Sequence, residues 1–147
     1  MGLVSECKSA GFAALYRKAL GDLPGIAFQQ VRETDRHSYK DFSITIDERA
    51  FGLGRDGLAW ALEAENIDTR KYYDPPVHRQ TAYARFASQS QVLDNTDLLA
   101  ARSLSLPMWS EMKDETVLDI CRAIGRVHEF AEQTAAALNR STTASAV

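Results

Sequence analysis

Apolar residues recur at helical spacing near the start of the chain, with Leu3, Cys7, Ala10 and Ala14 flanked by Phe12, Leu15 and Ala19, and with Lys8, Arg17 and Lys18 on other faces. The spacing predicts an amphipathic helix over about 3–20. Asp22-Leu23-Pro24-Gly25 stops it, because proline lacks an amide donor and glycine accepts the turn. Ile26 to Val31 is short and partly β-branched. After the polar run RETDRHS, Tyr39 to Asp47 alternates: Phe42, Ile44 and Ile46 fall on one face, and Asp41, Ser43, Thr45 and Asp47 on the other. Together these two stretches predict an antiparallel hairpin with one solvated face. Gly52-Leu53-Gly54 leads into a helix on Leu58, Ala61, Leu62 and Glu65, with Asp56 favourable in its first turn and Asn66 a left-handed stop. Ile67 to Tyr73 reads as a strand. Beyond Tyr83 no period is clear until Asn95-Thr96-Asp97, which are capping residues for a short helix through Leu98, Leu99 and Arg102. A brief strand, Ser103 to Pro107, follows. Val117, Cys121, Ile124, Val127, Ala131, Ala135 and Leu138 then trace one long closing helix from Asp114. The order predicts an α+β fold, a small antiparallel or mixed sheet packed against helices, with residues 1–140 as one domain and 141–147 as a disordered tail.

Composition changes this picture little. With 147 residues, 45% hydrophobic and 25% charged, the chain can bury a core of its own. A net charge of -3 with scattered Lys and Arg provides no basic field to gather phosphates, which argues against nucleic acid as a partner. Cys7 and Cys121 both fall in apolar helical patterns, as buried free thiols in a reducing compartment do. No apolar run approaches the roughly 20 residues of a membrane span. The start MGLVSECK carries no export signal, and Glu6 stands where myristoylation requires Ser or Thr. The expected location is the cytoplasm, away from membranes.

The densest chemistry lies in YYDPPVHRQTAY, Tyr72 to Tyr83. Pro75 and Pro76 end the preceding element and hold Asp74 extended, making a stiff loop that presents His78, Arg79 and Gln80 with little ordering cost on binding. By composition alone the same residues also fit a solvated linking turn, which is the commoner case. Arg32, Arg36 and His37 at the hairpin tip could hold an anion, but charged tips are usually just solvated. Gly52-Leu53-Gly54 lacks the third glycine and the lysine of a phosphate loop and reads as a turn. There is no G-x-S-x-G elbow, no cysteine with a catalytic signature and no metal-ligand spacing, so His128 beside the closing stripe reads as a packed residue. His78 as the general base of an unrelated small enzyme stays open, although no nucleophile or acid adjoins it in sequence.

The stretch GLGRDGLAWALEAENIDTRKYYDPPVHRQTAYARF resembles the C-terminal small domain of the DegT/DnrJ/StrS family of sugar aminotransferases, pyridoxal-phosphate enzymes of fold type I. ALYRKALGDLPGI, YKDFSITID and LAARSLSLPMWSEMKDETVLDICRAI resemble the flanking segments, so the likeness covers essentially residues 3–130. It implies that Tyr73, His78 and Gln80 sit at the mouth of an active site for a nucleotide-linked keto sugar. His78 and Arg79 would meet phosphate or sugar oxygens, and Arg70 and Tyr83 would orient the loop. The cofactor of such enzymes needs a Schiff-base lysine, and none of Lys8, Lys18, Lys40, Lys71 and Lys113 sits in a context resembling that motif. The resemblance therefore implies pyridoxal phosphate held by a large domain or partner subunit and not by this chain alone, which by itself would be inactive. Gly54 and Lys113 depart from the family, standing where many relatives have a serine and a threonine at helix starts. An apolar face of Phe51, Trp60, Met108 and Trp109 is expected where a large domain would pack, and through it a homo-oligomer. The alternative is a stand-alone module that binds a nucleotide sugar or a partner subunit without chemistry.

Overall fold

A computed structural model describes residues 2–86 and 92–144, with the side chains of 2–7, 142 and 144 outside the described set. Helix α1 (Gly2–Leu20) leads into strands β1 (Ile26–Phe28) and β2 (Phe42–Ile46), then the single turn α2 (Glu48–Phe51) and helix α3 (Arg55–Ala64). Two 3-10 turns, Val77–Arg79 and Thr81–Phe86, follow, then α4 (Asp94–Arg102), β3 (Ser103–Leu106), α5 (Asp114–Glu129) and α6 (Ala131–Ala144). The architecture is α+β, as the element order predicted.

The sheet is antiparallel throughout, with β2 at its centre. Ile46 pairs with Ile26, Ile44 with Leu104, and Phe42 with Leu106. The alternation in β2 is realised residue by residue: Phe42, Ile44 and Ile46 are buried, while Ser43 and Thr45 are partly open. Ser43 would strand its hydroxyl beside the apolar strands but meets the Ser105 hydroxyl across the sheet at 2.6 Å. The expected hairpin exists, although β1 stops at Phe28 and a loop, not a tight turn, joins it to β2. At the loop tip Arg32 is paired with Asp35, and His37 Nδ1 accepts the Tyr39 amide at 2.8 Å, so these side chains serve the loop's own shape.

Helix α1 buries a different stripe from the one its small residues suggested. Phe12, Ala13, Tyr16 and Leu20 are buried, and Ala10 and Ala14 face outward. The i, i+4, i+8 set of Phe12, Tyr16 and Leu20 removes far more apolar area from water than alanines do. Tyr16 is tolerated at full burial because its ring stacks on Phe42, 5.2 Å between centroids, and its hydroxyl donates to the Pro107 carbonyl at 2.9 Å. Burial, with Cys121 nearby, pushes its phenol well above the ordinary range. The stripe of α1 packs on α5, whose Val117, Ile120, Cys121, Ile124 and Val127 are buried. The Cys121 thiol is free and raised to about 11, chiefly by burial and slightly opposed by Arg122. The side chain of Cys7 lies outside the described residues.

Four expectations change. The stretch Ile67 to Tyr73 is not a strand; it touches the sheet only through an isolated bridge between Arg70 and Ser105. Proline so close downstream leaves no length for a ladder. The capping cluster at 95–97 sits inside the first turn of α4, whose N-cap is Leu93 with no side-chain cap. The long closing helix is divided at Phe130 into α5 and α6, and α6 runs on to Ala144. Finally, the apolar face lies elsewhere: Phe51 is in the core, Trp60 and Met108 are half-buried, and only Trp109 of that set is exposed. Asn66, by contrast, ends α3 with a φ of 60°, as its residue type suggested.

Asp47 joins the sheet to the helices. Its carboxylate caps α2 by accepting from the amides of Arg49 and Ala50, and its second oxygen meets Arg102 at the end of α4 at 3.1 Å. Its own amide donates to Gly25 O at 2.7 Å, and Gly25 is required there: at φ 79° a side-chain carbon would strike Phe51 N at 2.5 Å. His128 packs as expected, with its ring 5.1 Å from that of Phe51 and Nδ1 2.8 Å from Phe51 O.

Lys113 is the N-cap of α5 with extended φ and ψ of -103° and 151° and no side-chain cap. Lys113→Thr places a hydroxyl where it can accept an orphan amide, and is expected to stabilise the protein by about 1 kcal/mol, read as a raised midpoint in urea denaturation with an unchanged slope.

Candidate functional site

The proline loop and helix α4 form the two walls of a cleft of about 580 Å³. Tyr72, Tyr73, Pro76, Val77, His78, Tyr83 and Phe86 line it from the loop side, and Leu93, Thr96, Leu99, Ala100 and Ser103 from the α4 side. The peptide bonds Tyr72–Tyr73 and Asp74–Pro75 are cis. From Val77 onward the backbone closes 3-10 turns, Arg79 N donating to Pro76 O at 2.8 Å and Tyr83 N to Gln80 O at 2.9 Å, so the loop satisfies its own amides.

The two walls are held in register by Arg55, which the sequence reading did not single out. Among the described residues it is the one buried charged side chain, 6% exposed. Its guanidinium meets the Asp74 carboxylate at 2.6 Å on the loop, the Ala100 carbonyl on α4 and Asp56 Oδ1 on its own helix. A guanidinium suits this place because its donors diverge in one plane and each finds an acceptor. Asp56 is in turn bridged to Lys71. Partial burial would raise the Asp56 carboxyl, but the hydrogen bond from Lys71 and the charges of Arg55 and Lys71 outweigh it and hold the group below the ordinary range. The sole signal in sequence is an arginine at the first position of a helix, where a cation opposes the macrodipole and so calls for another reason to be there.

A second tie runs from the loop to α4 through Asp97. Its Oδ2 accepts from Arg79 at 2.6 Å, and its Oδ1 lies 2.9 Å from His78 Nε2, off the direction of an ideal hydrogen bond. Neither His78 Nε2 nor Asp97 Oδ1 has another hydrogen-bond partner among the described residues. The acid that sequence could not place beside His78 is thus supplied by a helix nineteen positions further on, counting 97 minus 78. The Arg79 hydrogen bond, with the charges of Arg79 and His78 behind it, holds the Asp97 carboxyl below its usual range against the opposing effect of desolvation, and Asp97 in turn raises the Arg79 guanidinium.

The six residues singled out by sequence divide. Tyr73, His78 and Tyr83 line the cleft. Arg79 turns along the outside of α4 to Asp97, and Gln80 folds its amide back to donate to Pro75 O at 3.0 Å, bracing the loop. Arg70 is paired with Asp68 and lines, with Trp109, another cleft of about 440 Å³ that shares Tyr72 with the first. Of the lysines, Lys8, Lys18, Lys40 and Lys113 are exposed and Lys71 is engaged with Asp56; none lines the cleft beside His78. The side chains present therefore do not fit the Schiff-base demand of pyridoxal phosphate. Among the described residues no group of three or more His, Cys, Asp or Glu could hold a metal ion, and no helix is long and apolar enough to cross a membrane.

A small antiparallel sheet with helices packed about it is the α+β fold of its structural neighbours, which are fold type I pyridoxal-phosphate aminotransferases. The chain belongs to the DegT/DnrJ/EryC1/StrS aminotransferase family, which it matches over residues 8–125. It is 30% identical over 114 residues to the spore coat polysaccharide biosynthesis protein SpsC of Bacillus subtilis (strain 168), covering 76% of this chain and 29% of that one. It is 33% identical over 113 residues to the GDP-perosamine synthase of Vibrio cholerae, with the same coverage of 76% and 29%. Among solved structures, DesI in the presence of its TDP-sugar product superposes with a TM-score of 0.79 at 27% identity, covering 89% of this chain and 33% of that chain. DesV of S. venezuelae in complex with a ketimine intermediate gives 0.73 at 29% identity, covering 84% and 32%. The chain thus spans less than a third of the curated relatives it matches.

Replacing Arg55 with methionine keeps the stem but leaves Asp74 and the Ala100 carbonyl without their donor. With Asp74 and Asp56 partly screened by solvent, the loss is expected to be about 1–3 kcal/mol, and amide exchange should accelerate in 72–86 and 94–102 while β2 stays protected. The Asp97 tie has its own pH window. A carboxyl whose folded pKa is depressed stabilises above its unfolded pKa and loses that stabilisation as pH falls through the folded value. Below the ordinary carboxylate range the loop should therefore loosen from α4, read as faster exchange of 77–86, and Asp97→Asn should abolish that acid step.

Proposed function

We propose that this chain forms the substrate-side wall of a pyridoxal-phosphate-dependent nucleotide-sugar aminotransferase, with the lysine that binds the coenzyme carried by another part of the protein or by a partner subunit. The observation that carries the reading is the cleft itself: in a chain whose family match runs through residues 8–125, the segment richest in polar and aromatic chemistry is the one that lines an open cleft. When bound in such an enzyme, the coenzyme supplies the electron sink for amino-group transfer from an amino acid to a keto sugar. This chain's residues bind and orient. Arg79 presents a permanently charged fork suited to phosphate oxygens, His78 is steadied by Asp97, and Tyr73 and Tyr83 offer hydroxyls and ring faces. Gln80 and Arg70 act one step back, as braces for the loop and the sheet edge. The setting is the cytoplasm, where nucleotide-linked sugars and a free Cys121 thiol are both at home.

The purified full chain is expected to show no aldimine absorbance with pyridoxal phosphate, to retain no pyridoxyl group after borohydride reduction and mass analysis, and to transfer no amino group from glutamate to a nucleotide-linked keto sugar. A pyridoxyl-lysine at Lys71 or any of the other four, accompanied by turnover, overturns the proposal. Tight binding of the nucleotide sugar by the lone chain without turnover in any company would point to a binding module instead.

A further inference from the structure

We propose that the cleft of about 440 Å³ beside Trp109 binds an organic cation, an ammonium group on a short alkyl stem, with the charge met by the Asp41 carboxylate and the stem laid on the rings of Trp109 and Tyr72. This site goes beyond the aminotransferase reading and does not involve the coenzyme. Its walls combine two kinds of surface. Trp109 and Tyr72 remain 49% and 47% exposed, and with Pro107 and Met108 they make an apolar side, while Asp41, Asp68 and Arg70 supply the charge. The volume falls in the range of small-molecule sites, roughly 300–1,000 Å³.

The balance of charge selects the sign of the ligand. Arg70 is not free to serve an anion, because Asp68 already holds both of its terminal nitrogens, Nη1 to Oδ1 at 2.7 Å and Nη2 to Oδ2 at 2.6 Å. Its backbone is fixed as well. The Arg70 amide donates to Ser105 O at 3.0 Å and its carbonyl accepts from the Ser105 amide at 2.8 Å, so the ion pair starts from a set place on the sheet edge. On the lining, then, two carboxylates stand against one guanidinium, and Asp41 is the one left over: among the described residues no cation lies within ion-pair distance of it. Lys40 precedes it in sequence but lines a neighbouring hollow, which shares Met108 and Trp109 with this cleft. An anion would meet an uncancelled carboxylate. An apolar ligand would cover that carboxylate without giving it a partner, and an unpaired charge shielded from water costs far more than a few methylenes return. An alkylammonium gives Asp41 its partner and uses the rings at the same time, since an aromatic face carries the negative end of the quadrupole.

The test titrates the full chain with n-butylammonium and with n-butanol, its uncharged counterpart, and reads the indole N–H signals of Trp109 and of the half-buried Trp60 by NMR. Butylammonium should move the Trp109 signal, leave that of Trp60, and bind about ten-fold more tightly than butanol. Asp41→Asn, a change at an exposed side chain, should erase that preference with the amide exchange of β2 unaltered. Read on the Tyr72 ring protons, Trp109→Leu should weaken butylammonium about five-fold, and Trp109→Phe should keep most of the affinity. The N-acetyl methylamide of lysine separates the two sources of such a group. Tighter binding than butylammonium assigns the cleft to a lysine side chain of another polypeptide, equal or weaker binding assigns it to a free amine, and both support the site. Equal affinity for butanol, undiminished binding of butylammonium by Asp41→Asn, shifts as large at Trp60 as at Trp109, or no binding at all overturns it. Any of these leaves the aminotransferase reading where it stands, because that is judged by borohydride reduction and turnover.

Discussion

One buried guanidinium organises the functional half of this protein. Arg55 emerges at the first turn of α3, and its donors reach Asp74 on the proline loop, the Ala100 carbonyl on α4 and Asp56 beside it. Neither wall of the cleft has much apolar burial to hold it. No residue of the 3-10 turns or of α4 reaches full burial. In the absence of a hydrophobic anchor, charge-assisted hydrogen bonds take over its task, and they are effective here because the guanidinium is shielded from water. The Asp97 tie to Arg79 and His78 closes the same loop from its other end.

The rest of the molecule is a platform for that arrangement. Core residues from α1, β2, α3 and α5 meet on one side of the sheet, with Tyr16, Ile44, Leu58, Leu62 and Ile124 wholly buried. Burying an aliphatic side chain is worth about 1.5–3 kcal/mol, so the four aliphatic positions among these outweigh any surface pair. Asp47 then transmits the position of the sheet to the end of α4 through Arg102, and Arg55 transmits that of α3 to the loop. The stiffest part of the fold thus determines where two weakly buried segments stand.

Local pattern revealed most of this scaffold. The alternation of β2, the stripe of α5, the left-handed Asn66 and the Tyr72 to Tyr83 loop are all decided by side-chain spacing or by one residue's backbone preference, quantities that belong to short windows. The misses have one cause. The stripe of α1 was misread because the partner surface favours Phe12, Tyr16 and Leu20, and the Tyr16 hydroxyl is acceptable in the core only because Pro107, ninety-one residues away, receives it. The segment from Ile67 to Tyr73 has strand-like residues but meets the sheet only through the bridge from Arg70 to Ser105, and what a strand pairs with is set outside its own window.

Sequence by itself determined the fold class, the family likeness and the segment where recognition chemistry is concentrated, because periodicity, proline and residue type act within a few positions of one another. Only the tertiary structure decided that Arg55 and Asp97 belong to the site, that Arg70 faces a different cleft, and that the exposed apolar surface is ringed by Tyr73, Tyr83 and Phe86 and not by Phe51 and Trp60. Pairings between residues 19 to 45 positions apart carry no local signature: an arginine reads the same in sequence whether its guanidinium ends in water or between a carboxylate and a carbonyl, and folding alone makes that choice.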